Sequence, residues 1–168
     1  MFEVEDYIIY GNNGVCKVMD VGCLDIGSID KRKIFYTLQP TYTQGILYTP
    51  VDNNKVVMRN LISKEEAWEL INDISNIEII LAENDKQAEA RYKESMKKCD
   101  CREWLIIIKT LYIKKQERLS QGKKITSTDE RYLNIAEEQL YGELSVLLDI
   151  SKEEMEELIM SRLEAVNR

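Results

Sequence analysis

One change of period, near residue 60, constrains this chain more than any other feature of its sequence. Before it, aromatic and β-branched residues come in short runs broken by Gly, Asn, Asp and Pro. After it, apolar residues recur every three or four positions over segments long enough for helices. Strand periodicity followed by helix periodicity implies an α+β chain with two separate cores, not strands and helices alternating in one sheet.

The first part reads as five strands. Tyr7 to Tyr10 and Val15 to Val21 are separated by Gly11-Asn12-Asn13-Gly14, where glycine and asparagine supply the positive φ angles of a tight hairpin. Gly22 and Gly27-Ser28 break the chain before Ile34 to Leu38, which Gln39-Pro40 ends. Ile46 to Thr49 follows, up to Pro50, and Asp52-Asn53-Asn54 turns the chain into Val56 to Met58. Five strands in so few residues predict a small SH3-like or Tudor-like β-barrel over residues 1–60.

Residues 61–168 predict an all-helical domain of about five helices. Ser63 with Glu66, Asp100 with Glu103, Ser127 with Glu130 and Ser151 with Glu154 each set an acceptor at a helix start and a carboxylate three residues later. In the last helix Met155, Leu158, Ile159, Leu163 and Val166 share a face, and Glu153, Glu156, Glu157 and Glu164 lie outside. A helix from about Asp85 to Cys99 carries Ala88, Tyr92, Met96 and Cys99 inward, and Gly122 stops the helix containing Trp104.

Several function classes lose ground on composition. The chain has no histidine, the commonest general base, so a non-enzymatic role is expected. Cysteines at 16, 23, 99 and 101 form no CxxC pair, and neither a metal site nor a cofactor is expected. The acidic start MFEVEDY lacks a secretory pattern, and the densest apolar run, Trp104 to Ile108, is too short to span a bilayer. A cytoplasmic protein with no membrane partner follows as the expectation. The net charge of −7 is unevenly spread: −1 over residues 1–60, −6 over 61–90, +7 over 91–124 and −7 over 125–168.

Two sets of residues carry a resemblance. Phe2-x3-Asp6-Tyr7-Ile8-Ile9-Tyr10-Gly11-x2-Gly14-Val15, then Tyr36-x-Leu38 and Ile46-x-Tyr48-x-Pro50-Val51, resemble the polymerase-interacting domain that the CarD/CdnL family of bacterial transcription regulators shares with the transcription-repair coupling factor. Leu111 to Arg118 and Leu133-x2-Ala136-x3-Leu140-x2-Glu143-Leu144 resemble the helical part of the same family. The resemblance implies a regulator that binds the RNA polymerase β subunit by strand addition and modulates open-complex stability through weak, non-sequence-specific promoter DNA contacts. Gly45, Ile46, Leu47, Tyr48 and Thr49 would form the docking strand, with Lys31 and Arg32 adding charge. Strand neighbours two apart share a face, so Ile46 and Tyr48 could instead fill the barrel, and for one of the two core is expected over contact.

On the DNA side, Lys86, Ala90, Lys93 and Lys97 align along one helix stripe, with Arg91 and Lys98 on its flank. Lys123 and Lys124, joined by Lys114 and Lys115, extend the cationic surface. Many family members set a tryptophan against the separated strands, and alignment puts Ala88 at that position. Trp104 and Trp68 read as packing. Two other readings remain open: a polymerase adaptor without productive DNA contact, and a thiol redox sensor using Cys99 and Cys101.

Overall fold

A computed structural model describes residues 1–27 and 29–166. Ser28, half of the Gly27-Ser28 break, lies outside the described residues. Two compact units divide at Leu61 and Ile62.

The first unit is a five-stranded antiparallel sheet of Tudor-like fold: β1 (Tyr7–Tyr10), β2 (Val15–Cys23), β3 (Ile34–Pro40), β4 (Leu47–Pro50) and β5 (Met58–Asn60), in the order β4-β3-β2-β1-β5. Gly11 and Gly14 at the β1–β2 hairpin have φ +47° and +70°, but Asn12 and Asn13 do not, because Gly11–Asn13 close as one turn of 3-10 helix. Gly11 is doubly constrained, since a Cβ there would sit 2.6 Å from the Val56 side chain. Gly22 does not break the second strand: it pairs with Phe35, past an irregularity between Val18 and Asp20 that absorbs Met19. β3 likewise runs on through Pro40. Thr41 N–H donates to Val15, so by alternation the missing Pro40 amide faces the β4 side, beyond the last β4 pair at Leu38 and Leu47.

The core of this sheet is Ile8, Cys16, Val18, Tyr36 and Leu38, with Leu47, Val51 and Met58 packed on it. Phe2 covers one side, its N–H donating to the Tyr36 hydroxyl at 3.1 Å and its ring 5.7 Å from the Tyr36 ring. Burial pushes the Cys16 thiol up to about 11, so it stays protonated.

The second unit holds five helices: α1 (Lys64–Asn72), α2 (Asp85–Lys97), α3 (Cys101–Ser120), α4 (Ser127–Leu148) and α5 (Lys152–Val166). Ser63 accepts from Glu66 N–H at 3.0 Å, and Ser151 and Glu154 cap each other reciprocally at 3.1 and 3.3 Å. Asp100 caps through Arg102 N–H, not Glu103. The α4 cap is Thr126, accepting from Asp129 N–H, one residue before the expected Ser127. Asn84 caps α2 by accepting from Gln87 N–H at 2.8 Å. Gly122, at φ +71°, stops α3 as expected.

α3 is buried at every position from Trp104 to Leu111, so the other helices pack around it. Ala88, Tyr92 and Cys99 are buried as expected, while Ser95 is buried in place of Met96, which is half-buried. On α5, Met155, Ile159 and Leu163 are buried and Val166 is exposed. Trp68 corrects the packing expectation: on α1 it is 43% exposed, beside the inward pair Ala67 and Ile71. Two polar residues of α3 fasten the segment before α2. Lys109 Nζ donates to the carbonyls of Ile74 (2.8 Å), Ser75 (3.1 Å) and Ile77 (2.7 Å). Thr110 Oγ1 accepts from Ile80 N–H at 2.9 Å. Glu143, fully buried on α4, accepts from Ile62 N–H at 3.0 Å and from Cys101 Sγ at 3.2 Å.

Candidate functional site

Two surfaces gather the site residues read from the sequence, one in each unit. In the first unit β4 is an edge strand, paired among the described residues only with β3. Val51 N–H donates to the Ile34 carbonyl at 3.0 Å, so by two-residue alternation Thr49 and Leu47 bond toward β3. Tyr48 and Pro50 then direct their main chain to the open side, and Pro50 offers only a carbonyl.

Side chains alternate along the same strand. Leu47 pairs with Leu38 and packs on the core. Thr49, which pairs with Tyr36, is buried and accepts from Asn53 Nδ2 at 2.8 Å. Ile46 and Tyr48 are each 45% exposed. This corrects the expectation that one of the two fills the core: that role falls to Leu47 and Thr49, whose β3 partners Leu38 and Tyr36 point inward. Gly45 leads into the strand at φ +107°. Tyr42, also 45% exposed in the loop before β4, was missed, since a lone aromatic between turn residues carries no sequence signal.

Lys31 and Arg32 sit in the β2–β3 loop, at the Pro50 end of β4. Each is tied to a local acid: Lys31 to Asp25 at 2.9 Å, Arg32 to Asp30 at 3.2 Å. Both are exposed surface pairs that a competing anion can replace at little cost.

The second surface is the outer face of α2. Lys86, Ala90, Arg91, Lys93, Lys97 and Lys98 are all exposed there. Glu89 pairs with Lys93 at 3.6 Å and with Arg131 at 3.4 Å, and Lys98 donates to Glu103 at 3.0 Å. That hydrogen bond, with the Glu103 charge, raises the Lys98 pKa. No ion pair among the described residues engages Lys86, Arg91 or Lys97. Lys123 and Lys124 are exposed in the loop after α3. Lys114 is withdrawn from the patch by Asp85 (3.3 Å) and the buried Asp129 (2.8 Å). Ala88 is on the opposite side of α2, only 6% exposed, against a cleft of about 340 Å³ that Leu81, Tyr92 and Ile113 also line. The aligned tryptophan position is therefore not part of the cationic face.

Cys99 and Cys101 form no disulfide among the described residues and are buried with different neighbours, Cys101 on Glu143 and Cys99 near the Met96 carbonyl. Among the described residues no group of acids and cysteines is arranged to hold a metal ion, and no helix is long and apolar enough to cross a membrane.

Residues 2–62 match the model of the CarD-like/TRCF RID domain, with the sheet and its open β4 edge inside the match. The first unit is a CarD-like/TRCF RID domain. The match spans the first unit from residue 2, so this unit is of the RNA polymerase-interacting type that CarD-like proteins carry. The helical unit that follows is consistent with the CarD-like assignment. No curated protein matches the chain.

Proposed function

We propose that the RID domain docks on the β subunit of RNA polymerase by adding a strand to the open edge of β4, and that the outer face of α2 touches promoter DNA phosphates. Those contacts change the lifetime of the open complex in the cytoplasm, with no reaction catalysed by the chain itself. The observation that carries the reading is the β4 edge: main-chain groups directed outward at Tyr48, flanked by two large apolar side chains, in a domain of polymerase-interacting type. Non-sequence-specific contact is what lysines and arginines on a helix surface supply, through charge and counterion release. The chain is acidic overall, so its DNA affinity depends on tethering by the polymerase.

Capture of the polymerase β subunit by the full chain tests the docking. Tyr48→Glu and Ile46→Glu, both at exposed positions, should leave the circular dichroism spectrum unchanged and weaken capture by about tenfold or more each. Unchanged capture by both folded variants would remove β4 as the docking edge.

A second reading, an adaptor without productive DNA contact, is favoured by the acids already paired with Lys93 and Lys98 and by alanine at position 88.

A further inference from the structure

Two cations from different helices converge on one oxygen of Glu89. Lys93 Nζ lies 3.6 Å from Glu89 Oε1, and Arg131 of α4 donates to that same Oε1 at 3.4 Å. Lys93 stands one turn along α2 from Glu89, on the exposed stripe with Lys86 and Lys97. Arg131 comes from a stretch whose charge sums to −7, so a count along the sequence hides it. Its position is nevertheless well fixed. The guanidinium carbon is 5.2 Å from the centre of the Tyr132 ring, and that ring, 7% exposed, packs tilted on Tyr92 of α2 at 5.4 Å. A cation already held over an aromatic face loses little further freedom when it meets a ligand. The Tyr92–Tyr132 contact also holds α4 against α2, and with it the spacing of the two cations.

Glu89 fills the gap between these cations poorly. Charge-assisted N–H···O bonds run at about 2.7–2.9 Å, and both contacts are longer. With the Glu89 side chain 33% exposed and both cations more so, each pairing holds weakly against water and salt. A phosphodiester brings two free oxygens, one for the ammonium and one for the guanidinium fork, each at full hydrogen-bond distance. We propose that Lys93 and Arg131 form a two-helix clamp for one DNA backbone phosphate, and that Glu89 is its stand-in, displaced when the phosphate enters. This rests on the reading that the outer face of α2 meets promoter DNA, and adds to it a residue of α4 and a built-in competitor. The ligand is a polymer backbone and not free phosphate because Lys86 and Lys97 continue the stripe on either side of Lys93, exposed and without an ion pair among the described residues.

Promoter DNA binding by the complex of full chain and polymerase, measured across salt concentrations, tests the clamp. Arg131→Ala, an exposed change to a good helix former, should keep the circular dichroism spectrum and lower the salt slope by about one unit. Glu89→Gln should bind about threefold tighter at low salt, and that gain should vanish in Glu89→Gln/Arg131→Ala. A gain that persists in full without Arg131 would make Glu89 a repelling acid and not a stand-in. An unchanged slope in Arg131→Ala, when Arg91→Ala/Lys98→Ala lowers it, overturns the clamp and leaves the α2 reading standing. If neither variant lowers the slope while polymerase stays bound, the α2 reading falls and the clamp with it. Inorganic phosphate added at constant ionic strength should leave the Glu89→Gln gain intact; its abolition would overturn the backbone phosphate as the ligand.

Discussion

Lys109 shows how a single residue can mislead a reading by charge. In sequence it counts toward the +7 of residues 91–124, yet it is buried and its ammonium is spent on three carbonyls between Ile74 and Ile77. Within that segment Lys114 is held by Asp85 and Asp129, and Arg102 by Glu78 at 2.8 Å, so the cationic surface is smaller than the charge sum implies. The clue in the sequence was its setting: Lys109 follows Leu105-Ile106-Ile107-Ile108, where no helix face is left for solvent. Lys109→Met fills the same length of space and leaves the buried carbonyls of Ile74 and Ile77, and the partly buried one of Ser75, without this donor. The expected loss is about 3 kcal/mol of stability. A urea midpoint indistinguishable from wild type would show that these bonds contribute nothing net. Trp68 was misread for a related reason, because hydrophobicity alone does not tell a core position on α1 from its neighbour 100° around the helix.

Among the elements, those that declare themselves through local chemistry were legible. β1 was readable to the residue, and the Ser63 and Ser151 caps were readable with their partners, since each depends on side chains within three positions. The continuations of β2 past Gly22 and of β3 through Pro40 were not, since both are decided by pairing across the sheet. The same limit hid which of Ile46, Leu47, Tyr48 and Thr49 face outward: parity on β4 is set by Leu38 and Tyr36 on β3. For α2 the sequence placed the cations on the exposed face, but not the acid that reaches Lys98 from another helix, Glu103 on α3. Lys93→Ala/Lys97→Ala and Arg91→Ala/Lys98→Ala should each shorten or lengthen open-complex life relative to wild type. Each lost phosphate contact should also lower the salt slope by about one unit. Alanine keeps the helix, so matching behaviour at every salt concentration, with polymerase binding intact, leaves the adaptor reading in place.

At the scale of the whole molecule, the two units have cores of their own, one around Ile8, Val18 and Tyr36, the other around α3. Residues 1–61 are therefore expected to fold alone and to capture polymerase as the full chain does, with residues 62–168 folded but inactive in capture. Capture by 62–168 and not by 1–61 would reverse the roles. The open side of β4 has a consequence beyond docking, because an edge kept free for one partner is free to any extended peptide, another copy of this sheet included. Four residues span only about 13 Å, and the strand ends on a proline that has no amide to donate. A second copy would gain very few bonds, against the entropy of association, so the strand is too short to seed aggregation. What makes it useful on polymerase is then the pair of apolar side chains, Ile46 and Tyr48, which only a matching surface can cover.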